Sequence, residues 1–171
     1  MKGCMAIDRQ KTETVHWHAV FTASRAEKKV RDRLEELGVE CFLPVQTVLR
    51  QWTYRKSRVV VPVIAGLVFV RVGRQEQVKV LQTKGVVAFL RLKGEAGAAV
   101  VPDKQMEDFR FLLDFSEEAV EMTNENIKAG DLVRVVKGSL RGMEGELIRH
   151  KGVTKVLVRI DMLGLSLIHI S

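Results

Sequence analysis

The residues able to make or break bonds are few in this chain, and none stands at a working spacing. His16 and His18 form a close pair, but alternate residues of a strand share a face, and no Cys, Asp or Glu stands near them at zinc-ligand spacing. The four histidines (His16, His18, His150, His169) therefore read as structural or surface residues. Ser139 follows Gly138 without an identifiable base, and the sequence holds no G-x-S-x-G, Walker or G-x-G-x-x-G pattern. An enzyme is not expected, nor a cofactor or a metal. The informative chemistry is that of binding. From Cys41 to Gln75 there is no acidic residue, and Arg50, Arg55, Lys56, Arg58, Arg71 and Arg74 all fall there, with Trp52 and Tyr54 among the first four. If this stretch is extended, Arg50, Trp52, Tyr54 and Lys56 share one face. Such a face can hold a phosphate backbone and stack on bases. The plain alternative is a solvated hairpin whose charge guards against edge aggregation.

A second pattern lies in Lys128–Leu147, where Gly130, Gly138, Gly142 and Gly145 surround short runs of β-type residues. This spacing asks for sharp bends, positive φ, or backbone approaches that a Cβ would block. Strand, kinked glycine loop, strand is how a small bent barrel begins. The four glycines match the KOW motif of small SH3-like barrels.

The elements that must carry these residues follow from periodicity. Val15–Ala23 alternates as a strand. Ser24 with Glu27 reads as a capping box opening a helix through Ala26, Val30, Leu34 and Leu37, closed by Gly38. A strand Val39–Val45 crossing Pro44 comes next, then the basic segment. Val59–Val72 reads as a central strand interrupted at Pro62 and approached closely at Gly66. A short helix Gln75–Gln82, a strand Val86–Leu92 and a helix from Asp103 to about Phe115 complete the first body. Met106, Phe109, Leu112 and Leu113 form the apolar stripe of that last helix. The fold class is α+β: a sandwich of helices on a mainly antiparallel sheet over residues 15–115, a connector at 116–126, and a small barrel at 127–171.

Charge supports this division. The 171 residues carry 28 Lys/Arg against 21 Asp/Glu, a net +7. The connector holds Glu117, Glu118, Glu121 and Glu125 and no basic residue, so it separates two basic bodies. A basic balance favours polyanionic partners. Two cysteines without metal spacing, no secretory signal and no apolar run of about 18 residues point to a cytoplasmic protein with no membrane partner.

Taken together, WHAVFTASRAEKKVRDRLEELGVECFLP, the strand VIAGLVFVRV and the KOW glycines resemble NusG-type transcription factors from about Trp17 to Gly164. The basic insertion and the ending at Gly164 look more like specialised, UpxY-type paralogues. The resemblance implies an elongation or antitermination factor, expected to be monomeric, that docks by an apolar groove on the clamp helices of the largest RNA polymerase subunit and suppresses pausing or termination, at specific operons. Carried over from matching strands, the groove would be Phe21, Ile64, Leu67, Phe69 and Phe89. Leu67 stands where the family has an aromatic. Arg50, Trp52, Tyr54, Arg55, Lys56 and Arg58 would contact DNA or nascent RNA. The tip Met162–Leu163 of the KOW barrel would meet Rho or a small-subunit ribosomal protein. An RNA-binding or ribosome-associated KOW protein acting apart from polymerase is the alternative. The tail at 165–171, LSLIHIS, reads as non-native sequence replacing the true C-terminus, although its alternation can imitate a closing strand.

Overall fold

The computed structural model describes residues 14–115, 121–123, 130–136, 141–150, 152–160 and 165–170. The first body runs β1 (His16–Thr22), α1 (Glu27–Glu36), β2 (Glu40–Phe42), β3 (Val45–Trp52), β4 (Arg55–Pro62), β5 (Leu67–Val72), α2 (Glu76–Leu81), β6 (Val86–Phe89) and α3 (Asp103–Phe115). Its main sheet has the order β2-β5-β1-β6, with every pairing antiparallel.

The two faces of this sheet follow from alternation on β1. Trp17, Ala19 and Phe21 lie opposite Arg71, Phe69 and Leu67, so all six belong to one face. His18 and Val20 lie opposite Val70 and Val68 on the other. Helix α3 covers the first face. Its Met106, Phe109 and Leu112 are buried with Trp17, Leu67 and Phe69, and the Phe69 and Phe109 rings meet edge to face at 5.8 Å. Helices α1 and α2 cover the second face, packing Val30, Leu34 and Val80 on Val20, Val68, Val70 and Phe89. The expected sandwich is present, with helices on both faces of an antiparallel sheet.

Three local expectations need correction. The Ser24–Glu27 capping box is absent: α1 has Ala26 at its N-cap with no side-chain cap. The Glu27 carboxylate instead accepts the Gly66 N–H at 2.8 Å, a long-range bond that no local pattern announces. The strand drawn across Pro44 is two strands, because proline has no N–H for a ladder; β2 stops at Phe42 and β3 starts at Val45. The stretch Val59–Val72 is interrupted at Pro62 as expected, but only its second part is central: β4 ends at Pro62 in a separate sheet with β3, and β5 starts at Leu67 in the main sheet.

The second body is a five-stranded antiparallel sheet of β7 (Glu121–Thr123), β8 (Asp131–Arg134), β9 (Glu144–His150), β10 (Val153–Ile160) and β11 (Leu165–Ile170), ordered β7-β11-β10-β9-β8. Residues 121–123, read as connector, thus supply an edge strand. The segment Leu165–Ile170 pairs along β10, from Ile160↔Leu165 to Lys155↔Ile170. Gly145 shows why this sheet needs glycine: a Cβ there would lie 2.8 Å from the Leu157 carbonyl oxygen and 2.7 Å from Val156 Cγ1. Gly138 falls outside the described residues, as do Met162 and Leu163.

The two bodies touch. Met143, just before β9, is 4 % exposed and belongs to the core beneath α3, with Trp17, Phe69 and Met106. Its carbonyl accepts the Val135 N–H at 2.9 Å, so the loop is braced where it enters that core. The neighbouring Glu144 carboxyl is held below its usual range, first by its hydrogen bond and charge pairing with Arg134, then by the charge of Lys104 on α3.

Candidate nucleic-acid and docking surfaces

Strands β3 and β4 form a two-stranded sheet of their own. They are joined by a two-residue turn at Thr53–Tyr54 and paired from Val45↔Pro62 to Trp52↔Arg55. At the base of this hairpin the Val63 N–H donates to the Pro44 carbonyl at 2.8 Å, and the Lys28 ammonium donates to the Val60 carbonyl at 3.2 Å. The outer part is in solvent: Tyr54 at the turn is 97 % exposed and Trp52 is 56 % exposed.

The register decides which of the six predicted contact residues stand together. Trp52 faces Arg55, Arg50 faces Ser57, Gln51 faces Lys56 and Leu49 faces Arg58. Directly opposed residues share a face and successive residues alternate. Arg50, Trp52 and Arg55 therefore occupy one face, and Leu49, Lys56 and Arg58 the other. A single face holding Arg50, Trp52, Tyr54 and Lys56 is not formed, because the chain reverses at Thr53–Tyr54. Neither turn residue is Gly, Asn or Asp, so the usual hairpin signal is missing from the sequence. All six residues are nevertheless exposed on one projecting element.

The five predicted groove residues separate in a different way. Phe21 and Leu67 are cross-strand partners on the α3 face, and Phe69 follows on the same face. Phe21 is 42 % exposed, Leu67 is buried and Phe69 is fully buried beneath α3. Ile64 is half-buried and packs on the same cluster. An unbroken strand cannot put Ile64 and Leu67 on one face, and Gly66 is why it happens here. Its φ of +72° lies in the region that favours glycine, and it turns the chain between the two residues. That turn is held from both sides, by the Glu27 carboxylate on Gly66 N–H and by the Gly66 carbonyl accepting the Thr22 N–H at 2.9 Å. Phe89 does not join the group. It pairs with Val20, which assigns it to the opposite face, where it packs with Val30, Leu34 and Val80 and meets the His18 ring edge-on at 5.8 Å. The five residues thus do not line one groove. Four lie on the α3 face, and of these Phe21 and Ile64 reach its open end.

Sequence reasoning missed three supporting residues. Glu27 gave a misleading local signal as a helix cap. Met143 gave none, since a lone methionine among glycines says nothing of a contact with a distant helix. Arg110 looked like an ordinary charged position of α3, but its guanidinium lies between Trp17 and Phe42, with centroids at 4.7 and 4.6 Å, closing the far end of the covered face.

Among the described residues no cluster of His, Cys, Asp or Glu is placed to hold a metal ion, and no helix is long and apolar enough to cross a membrane. Burial and the charges of Glu35, Asp32 and Glu40 push the Cys41 thiol up to about 11, even against the opposing Arg31, which leaves it a poor nucleophile.

Comparison with known proteins bears on the same segment. No curated protein matches the chain. Among solved structures it is similar to one described as "Domain interaction in Thermotoga maritima NusG", at 22% identity and TM-score 0.49, over 90% of this chain and 92% of that one. It is also similar to the "MjSpt4:Spt5 complex conformation B", at 16% identity and TM-score 0.32, over 90% and 97%. A family model described as "Transcription termination factor nusG" matches residues 15–110, which run from the start of β1 into α3 and include the hairpin and the Gly66 turn. That is more than half of the 171 residues, and the chain belongs to the NusG family of transcription factors.

Proposed function

We propose that this chain is a transcription elongation factor that docks on RNA polymerase with the open end of its α3 face and suppresses pausing or termination, at specific operons. One observation carries the reading. Phe21 is a large aromatic left 42 % exposed on a face otherwise closed by α3, directly opposite Leu67 and next to Thr22, whose N–H bonds the Gly66 turn that brings in Ile64. Phe21 and Ile64 supply the contact, with Leu67 and Phe69 as the floor behind them. The partner surface is the pair of clamp helices of the largest polymerase subunit, as the family resemblance implies. The β3–β4 hairpin adds contact to DNA or nascent RNA beside the polymerase. The second body acts as the KOW barrel, with Gly142 at a turn and Gly130 and Gly145 where backbones approach too closely for a Cβ, and offers a separate surface to Rho or a small-subunit ribosomal protein.

Such a factor needs no bond chemistry. Binding shifts a two-state equilibrium only through its differential affinity for the two states. A preference of about 1.4 kcal/mol for the closed clamp is a tenfold shift, within reach of a few apolar side chains and charge contacts.

The test is co-purification with polymerase core. Phe21→Asp places a charge in the contact without disturbing the core, because the side chain is already half in solvent; it should abolish retention. The double variant Trp52→Ala/Arg55→Ala should retain polymerase. Equal retention of wild type and Phe21→Asp would refute docking through this face. It would favour an RNA-binding protein acting apart from polymerase.

A further inference from the structure

Arg25 is the one non-glycine residue with positive φ among the described residues, at +58°. It stands third in the turn Ala23–Ala26, which the Ala26 N–H closes by donating to the Ala23 carbonyl at 3.1 Å. Positive φ at the third position of a turn suits glycine, because a Cβ there crowds the backbone. The arginine is thus held against a local strain. Its side chain is exposed, and no hydrogen bond or ion pair to another described residue offsets that strain. Strained backbone that the surrounding fold over-determines collects at binding sites.

The surroundings of this turn are fixed from both sides. The Thr22 N–H donates to the Gly66 carbonyl at 2.9 Å, and the Ala23 N–H donates to the Gly85 carbonyl at 2.8 Å. These bonds set Arg25 at the open end of the α3 face, since Phe21 precedes Thr22 and Ile64 lies two residues before Gly66. Three segments meet here, 21–27, 63–66 and 83–86, and their exposed charges are Arg25 and Lys84. Their one carboxylate, Glu27, is buried and taken up by the Gly66 N–H. The end therefore combines apolar contact with positive charge alone, which calls for an acidic partner.

We infer that Arg25 is a docking residue that pairs with a carboxylate of the polymerase surface, one helical turn from the apolar side chain that meets Phe21 and Ile64. Residues three or four apart on a helix are neighbours, so a single partner helix can present both groups. A phosphate backbone would satisfy the guanidinium but has no apolar surface for the aliphatic Ile64. The planar guanidinium matches a carboxylate with two parallel hydrogen bonds, and a turn already held rigid loses little freedom when they form. This inference rests on the reading that the open end docks on polymerase.

Binding of the full chain to polymerase core free of nucleic acid, at several salt concentrations, tests it. Arg25→Gly keeps the turn and removes the charge. It should weaken binding about tenfold and make the affinity less sensitive to salt. Arg25→Glu should weaken it further, because like charges then meet. Relief of the strain should give Arg25→Gly a higher denaturant midpoint than wild type or Arg25→Ala. Undiminished affinity of Arg25→Gly, with Phe21→Asp still lost from the core, would overturn the pairing and leave the docking face in place. A defect of Arg25→Gly seen only when the polymerase carries nucleic acid would assign the arginine to a phosphate and overturn the carboxylate. A lower midpoint for Arg25→Gly would assign the arginine to the fold and overturn its docking role. Retention of Phe21→Asp equal to wild type would overturn both this inference and the reading beneath it.

Discussion

The α3 face of the main sheet and the β3–β4 hairpin are only a few residues apart in the chain, yet they use their side chains in opposite ways. On the α3 face, alternation delivers Trp17, Ala19, Leu67 and Phe69 to a helix that buries them, and only the end around Phe21 and Ile64 stays open. On the outer part of the hairpin, alternation delivers residues to two faces that are both exposed to solvent. Apolar content holds the first region together and consumes most of what a docking partner would touch. Register organises the second, and leaves Arg50, Trp52, Tyr54, Arg55, Lys56 and Arg58 exposed. A buried sheet face can lend only its margin to function, whereas a projecting ribbon can lend nearly all of its outer residues.

The sharpest way to break this contrast is to remove the helix side chain that closes the α3 face. Phe109 is fully buried and meets the rings of Phe42 and Phe69 at 6.0 and 5.8 Å. Phe109→Ala removes those contacts and leaves a cavity between helix and sheet. It should cost about 3–5 kcal/mol of stability, read from denaturant unfolding. A loss below about 1 kcal/mol would mean that the face is loosely packed, and that Phe69 is accessible after all.

The extent to which each region could be read in the sequence follows from the range of the interactions that fix it. Helix α3 was legible to the residue, because Asp103 and the stripe Met106, Phe109 and Leu112 are local signals that agree with the burial. The strand character of β1 was equally plain. Phe89 was misplaced because its face depends on pairing with Val20, a register between segments about seventy residues apart that no local pattern records. The hairpin was legible as a basic extended stretch, but its reversal at Thr53–Tyr54 was not, since neither residue demands a turn. Glu27 shows the converse error: a strong local motif lost to a long-range acceptor role at Gly66. The contact of Met143 with the α3 core joins two bodies, and composition gave it no signature.

The opposite face of the sheet offers a second, smaller test through its one buried histidine. The His18 Nδ1–H donates to the Ala99 carbonyl at 2.8 Å, and the ring abuts Phe89. Burial holds its pKa below the usual 6.5, the bond to Ala99 works against that, and the nearby His16 adds to the lowering. The folded state thus binds fewer protons than the unfolded state once pH falls below about 6.5. Stability should be level above that pH and should decline as pH falls from there through the folded pKa. His18→Gln should flatten that part of the profile, as followed by thermal unfolding between pH 7.5 and 5. An unchanged slope would show that the histidine is hydrated, and that this face is less sealed than the one under α3.

The smallest expected effect on stability belongs to the hairpin, and it isolates what the comparison claims. Trp52 is 56 % exposed, belongs to neither core cluster of the first body, and packs at the end of a two-stranded sheet. Removing a large aromatic from a core costs several kcal/mol, but exposed positions away from caps and buried networks shift stability by no more than about 0.5 kcal/mol. Trp52→Ala should therefore leave the denaturant midpoint almost where it was, while weakening nucleic-acid binding about tenfold through the lost stacking. The same change of residue type as Phe109→Ala would then yield opposite results in the two regions: a large loss of stability in one, a loss of binding with stability intact in the other. If Trp52→Ala cost as much stability as a core aromatic, the hairpin would have to fold back on the body, and its two faces could not both be free to meet a ligand.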